Sequence, residues 1–311
     1  MEQKAATITE YATSTAEEFW DYISPQRDVF GCKEGLIYRG QANADWKLEP
    51  SILRTKSHGI YQFPGLSGLD SSEISVFCEV YALSEFAKQC DSSGLRIPGD
   101  SPEFRRDYLN HFEVAKKVIS GERFWPSEEY SEIMALAQHH GLPTRLLDWS
   151  YRSYVAAYFA ASDAIRICNS TPEQRLAVWV MLPGEEINAI GIIRVPGNNN
   201  ANIANQSGLF TLLKQRCYPE QPKAGDNCLD DYIARTLVDH LAKITLPISE
   251  SAKVLDLCRR YGVTAATLFP DYSGAVRATL EHFVRWSKTQ CEDGRDIQAQ
   301  ALPELIKARS N

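Results

Sequence analysis

The chain has 311 residues, 44% of them hydrophobic and 23% charged, enough for one large domain with a real core. Its net charge of −7 argues against a dominant electrostatic grip on nucleic acid or anionic lipid. No apolar run is long enough for a membrane helix, and the N-terminus lacks the apolar stretch of a signal peptide, so a cytoplasmic protein with no membrane partner is expected.

Ser14 followed by Glu17 reads as a capping box, and Phe19, Trp20 and Ile23 form an apolar stripe. These predict a first helix over about 14–24. "GLIYRG" predicts a short strand ending at Gly40. Helices are expected over about 72–90, 102–120 and 127–139, the last stopped by Gly141 and Pro143. "TRLLDWS" reads as extended and the alanine-rich "SYVAAYFAASDAI" as a closely packed helix. Strands follow at "RLAVWVML", "GLFTLLK" and "AKITLPI", with "TAATLF" as a further candidate. Helices are expected at about 229–240, 249–261 and 273–288, then a polar helical tail over 289–311. "PGNNNANIANQ" and "YPEQPKAGDNC" read as loops. Helices crowd the first half and strands the second, which predicts an α+β fold in one compact unit, 1–311, with a helical N-terminal half and a C-terminal helix.

The eight cysteines form no CxxC pair and no zinc spacing with histidine, so reduced thiols and no metal are expected. Two stretches concentrate polar groups. In "YRGQANADWKLEPSILR", Arg39 is suited to fork onto a phosphate or carboxylate, or to pair with a buried acid. Gly40 allows either close ligand approach or a bend. In "LAQHHGLPTRLLDWSYRSYVAAYFA", Gln138, His139, His140, Thr144, Arg145, Asp148 and Trp149 surround a tight turn. Arg145 and Asp148 are close enough in sequence to pair with each other.

These two stretches, with "NQSGLFT" and "TLFPDYSG" after them in order, resemble the FRG domain family over about 18–285. Tyr38-Arg39-Gly40 stands at the motif that names the family. A weaker resemblance links the chain to the Arg-class ADP-ribosyltransferases, and it implies an ADP-ribosyltransferase-like mixed sheet core. It also implies that NAD is a substrate, with a protein or nucleic-acid acceptor left open. By that resemblance Arg39 holds NAD phosphate or ribose, and Tyr38, Gly40, Gln41, Thr144, Arg145 and Gln206 border the nucleotide. His139 and Asp148 then join Arg39 as catalytic candidates. The family's last glutamate is missing, because Gly208 stands in its place. Asp148 is the best substitute on motif context. Asp271 is next, although Phe-Pro-Asp also marks a helix cap. Trp46 and Trp149 are candidates for stacking on a base, or for the core.

Three readings therefore stand side by side. One is an NAD-cleaving or ADP-ribosyl-transferring effector, which the resemblance places in bacterial defence or toxin systems. Another is a non-catalytic nucleotide- or partner-sensing module, favoured by the missing acid. The last is a nuclease or other phosphodiesterase, with His139 and His140 as acid and base and Arg39 and Arg145 as phosphate clamps.

Overall fold

The structure is a computed structural model, and it describes residues 8–27, 29–30, 34–54, 71–167, 171, 173–183, 190–196, 201–214, 228–236 and 240–292. Strand β1 (Thr9–Ala12) precedes helix α1 (Ala16–Tyr22). This helix is capped one residue later than expected. The Thr15 side chain accepts from the Glu18 backbone N–H, and the Glu18 carboxylate accepts from Ser14 N at 2.8 Å. Thr15 and Glu18 have the same spacing as Ser14 and Glu17, so the pattern alone cannot choose the register.

"IYRGQ" forms β2 (Ile37–Gln41), followed by α2 (Ser51–Arg54) and the long α3 (Ser71–Ser92). The single helix expected over 102–120 is two, α4 (Pro102–Tyr108) and α5 (His111–Ile119). Asn110 divides them because its side chain caps α5 by accepting from Glu113 N. Helix α6 (Ser131–His139), strand β3 (Leu147–Ser150) and helix α7 (Ser153–Ala164) follow, then β4 (Arg175–Met181) and β5 (Ile190–Ile193).

Helix α8 (Ala201–Gln206) lies where a loop was expected and leads into β6 (Gly208–Leu213). Next come α9 (Leu229–Thr236), β7 (Leu241–Pro247), α10 (Ser251–Arg260), α11 (Ala265–Leu268) and α12 (Tyr272–Glu292). The candidate strand "TAATLF" is therefore helical. Thr264 and Thr267 form a reciprocal capping box that outweighs the β-branched composition. Of the expected tail, 289–292 continue α12, and 293–311 lie outside the described residues, as does most of the loop at 218–228.

Seven strands make one mixed sheet in the order β1-β7-β4-β2-β3-β6-β5. Among the described residues, only β1 and β7 pair in parallel; the other pairs are antiparallel. The fold is mixed α and β, and the first half contributes three of the strands rather than helices alone. Alternation along β4 sorts the core. Leu176, Val178 and Val180 face α1, α7 and α10, while Trp179 and Met181 face a second cluster with Ile37 and the α9 residues Leu229 and Ile233. A third cluster joins α3, α5 and α6 to Phe210 and Leu212 of β6. Among the described residues no helix is long and apolar enough to cross a membrane.

Two features of β2 shape the middle of the sheet. Helix α7 lies directly across it, with Ala156, Ala157, Ala160 and Ala161 all buried. A Cβ on Gly40 would stand 1.9 Å from the Ala156 carbonyl oxygen and 2.7 Å from Ala160 N. Gly40 is thus required by helix–sheet packing. The second feature is the ladder between β2 and β3, which consists of one pair, Tyr38 with Ser150. Continued, that register would set Gly40 opposite Asp148. Instead the strands part, and the sheet opens.

Candidate functional site

The opening is a cleft of about 350 Å³. Tyr38, Arg39 and Gly40 line it from β2, and Asp148, Trp149 and Ser150 from β3. Helix α7 contributes Ala156, Phe159 and Asp163; α6 contributes Gln138 and His139; α8 contributes Asn202 and Gln206.

Arg39 bridges the gap between the parted strands. Its Nη1 donates to the Asp148 backbone oxygen at 2.7 Å and lies 3.5 Å from Asp148 Oδ2. A side-chain donor thus takes the carbonyl that a continued ladder would have used. Its Nε is buried and meets no acceptor among the described residues. Burial pulls the guanidinium below its ordinary pKa, Asp148 opposes this, and Arg54 adds to it.

Asp148 is held from the other side by Gln138, whose Nε2 donates to Oδ1 at 2.7 Å. Gln138 in turn accepts from the Thr144 hydroxyl, and that hydroxyl accepts from Leu146 N at 3.1 Å. The turn after α6 therefore orients the carboxylate through two side chains. Ser150 donates to the Gln206 backbone oxygen at 2.6 Å, and Arg152 Nη1 donates to Asn205 O at 3.2 Å. These bonds fix the wall formed by α8. His139 Nε2 lies 3.5 Å from Asn202 Nδ2. Burial lowers the His139 pKa and His140 lowers it further, with Asp271 opposing.

Several expected site residues lie elsewhere. Arg145 does not pair with Asp148 and does not reach the cleft. It is buried in a fork on Glu79, with Nε to Oε2 at 2.6 Å and Nη2 to Oε1 at 2.5 Å. Trp125 Nε1 and Ser75 Oγ complete that carboxylate's bonds at 2.7 and 2.9 Å. The phosphodiesterase arrangement thus loses its second clamp. Gln41 is also buried, accepting from Trp179 Nε1 at 2.7 Å and donating to Lys47 O at 3.2 Å. Thr144 acts behind the cleft lining, through Gln138. Trp149 borders the cleft but buries its indole in the core, where Nε1 donates to Thr211 Oγ1 at 2.8 Å, while Trp46 is half-exposed outside the cleft. Asp271 caps α12, accepting from Gly274 N at 2.7 Å.

The family model of the FRG domain matches residues 34–166. The chain carries an FRG domain. No curated protein and no solved structure matches the chain. The matched segment of the FRG domain runs from just before β2 to just after α7, so it holds both strands that part and the helix above them. The α8 wall and β6 lie beyond it.

Sequence reasoning passed over Asp163, Phe159, Asn202 and Phe269, all of which line the cleft. A signal exists for part of this set. Ala156, Phe159 and Asp163 are spaced i, i+3, i+7 and so share one face of α7. No comparable signal marks Phe269, which packs edge-to-face on Phe159 at 6.1 Å between ring centroids.

Proposed function

We propose that the cleft built on the FRG domain and the α8 wall binds a nucleotide such as NAD and breaks its glycosidic bond to nicotinamide. The observation that carries this is the seating of the Asp148 carboxylate, at the point where β2 and β3 part, between Arg39 and Gln138. Cleavage breaks the bond between C1′ of the ribose and the pyridinium nitrogen, whose electron pair leaves with nicotinamide. The ribose carbon becomes positively charged until water or an acceptor nucleophile adds and loses a proton. A fixed carboxylate is the group that stabilises such a centre, because it needs no reorganisation as the charge develops. Arg39 has a positioning role here, holding Asp148 by its backbone. An NAD-consuming activity would suit an effector of a bacterial defence or toxin system.

The test is incubation of the protein with NAD, with and without lysate, followed by quantification of free nicotinamide and of modified macromolecules. Asp148→Asn should reduce turnover by about a hundredfold or more while nucleotide affinity survives. A second reading, binding without cleavage, is favoured by Gly208 at the place where the ADP-ribosyltransferase resemblance expects an acid, and by the bonds that already engage Asp148. Calorimetric NAD binding with no nicotinamide released would select it. No binding and no release would dispose of both.

A further inference from the structure

We infer that the cleft selects its ligand by a positive charge carried on a planar ring, and that Asp163 is the residue that reads that charge. The inference rests on the nucleotide reading of the same cleft and specifies which end of the nucleotide enters.

Among the described residues that line the cleft, the charged side chains most exposed to water are the carboxylates of Asp148 and Asp163. Arg39 is 13% exposed and turns Nη1 onto Asp148, whereas the side chains of Asp148 and Asp163 are 65% and 59% exposed. The two carboxylates stand on different walls, one on β3 and one on α7. A phosphate chain entering here would face both carboxylates.

Asp163 is also fixed in place. Arg277 of α12 donates to its Oδ1 at 3.2 Å and to Ser162 Oγ at 2.9 Å. The same guanidinium is held by Glu281, which accepts from Arg277 Nε at 3.2 Å, Tyr158 OH at 2.7 Å and Ser162 Oγ at 2.5 Å. This network consumes one oxygen of Asp163 and leaves the carboxylate at the cleft surface. Beside it stand Phe159 and Phe269, and the Arg277 guanidinium already lies 5.4 Å from the Phe269 ring centroid. An aromatic wall next to a held carboxylate suits a flat cation, which gains from ring faces and from the acid together. The matching chemical class is an N-alkylated pyridinium, or a protonated heteroaromatic base, on a sugar. For NAD this is the nicotinamide riboside end, with the diphosphate directed outward.

The experiment is calorimetric titration of the full chain with four probes. They are carba-NAD, which keeps the pyridinium and resists cleavage; NADH, with a neutral ring; nicotinamide riboside; and ADP-ribose. Carba-NAD should bind roughly fivefold to tenfold more tightly than NADH, as one partly exposed charge pair with a cation–π contact allows. Nicotinamide riboside should bind more tightly than ADP-ribose. Asp163→Asn should bring the carba-NAD to NADH ratio close to one and leave NADH affinity in place, which also shows that the variant is folded. Asp163→Glu should recover part of the ratio. If ADP-ribose binds as tightly as carba-NAD and NADH is not disfavoured, the inference fails while the nucleotide reading stands. If none of the four probes binds, both fail.

Discussion

At the scale of single residues, the Arg-Gly pair of β2 serves two different demands on opposite faces of the strand. Gly40 exists because α7 sits on it. Gly40→Ala would place a methyl group 1.9 Å from the Ala156 carbonyl, and neither a central strand nor a packed helix can retreat cheaply. The expected loss is about 3 kcal/mol or more, at the upper end of overpacking effects. Urea denaturation measures it, and a loss below about 1 kcal/mol would show that α7 is free to lift. Arg39 behaves differently. It spans a gap in the sheet by donating to the Asp148 backbone, so Arg39→Ala should disturb the cleft and the fold together. The stability cost should be roughly 1.5–3 kcal/mol, the range for a hydrogen bond from a charged group. A thermal melt run beside nucleotide titration tests this. Full stability with binding lost would return Arg39 to the role of a ligand clamp.

At the scale of elements, the buried fork between Arg145 and Glu79 fastens α3 to the segment that enters β3. Both side chains are 3% exposed. Removing one partner strands the other charge in a dry site, so Arg145→Met should cost about 3–5 kcal/mol. The double variant Arg145→Met with Glu79→Gln should recover a large part of that loss, because the desolvation penalty of both ions disappears while the amide oxygen still accepts from Trp125 Nε1. A double-mutant cycle by chemical denaturation checks the coupling; additive losses would mean that the two charges are not sensed as a pair. The same element-scale view explains why the turn after α6 looked like a catalytic cluster. Its polar residues divide by destination. Gln138 and His139 go to the cleft, Thr144 to Gln138, and Arg145 to the interior.

At the scale of the whole molecule, the sheet and its helical layers close over four of the eight thiols. Cys78, Cys90, Cys228 and Cys258 are unpaired and buried. Burial, with Glu79 adding to it, pushes the Cys78 thiol up to about 11; burial, with neighbouring acids, pushes Cys228 up to about 12. Both should be protonated and shielded at neutral pH, since the thiolate is the reactive form. Brief treatment of the native protein with an alkylating reagent, read by mass spectrometry, should leave these four unmodified, and denaturation should expose them together. Rapid native labelling of Cys78 or Cys258 would contradict the packing of α3 or α10.

Much of the architecture could be read without coordinates, because it depends on patterns local in the chain. The apolar run of β4, the alanines of α7 and the Gly-Leu-Pro stop after α6 each specify their own backbone. So does the FRG motif itself, and with it came the expectation that residues some hundred positions apart share one site. Of the residues expected to share that site, Tyr38, Arg39, Gly40, His139, Asp148 and Gln206 line one cleft, whereas Gln41, Thr144 and Arg145 lie outside its lining. Tertiary structure decided the rest, for reasons of partner choice. Whether Arg145 pairs with Asp148 three residues away or with Glu79 on another helix depends on which carboxylate is buried beside it. Whether Gly40 serves a ligand or a helix depends on what lies above the strand. The α7 spacing sets Asp163 on the same face as Phe159, but only the fold brings Arg277, more than a hundred residues later, to hold one oxygen of its carboxylate. A hydrogen bond or a close contact is specified by proximity in space, and sequence spacing sets that proximity only within one helix or one strand.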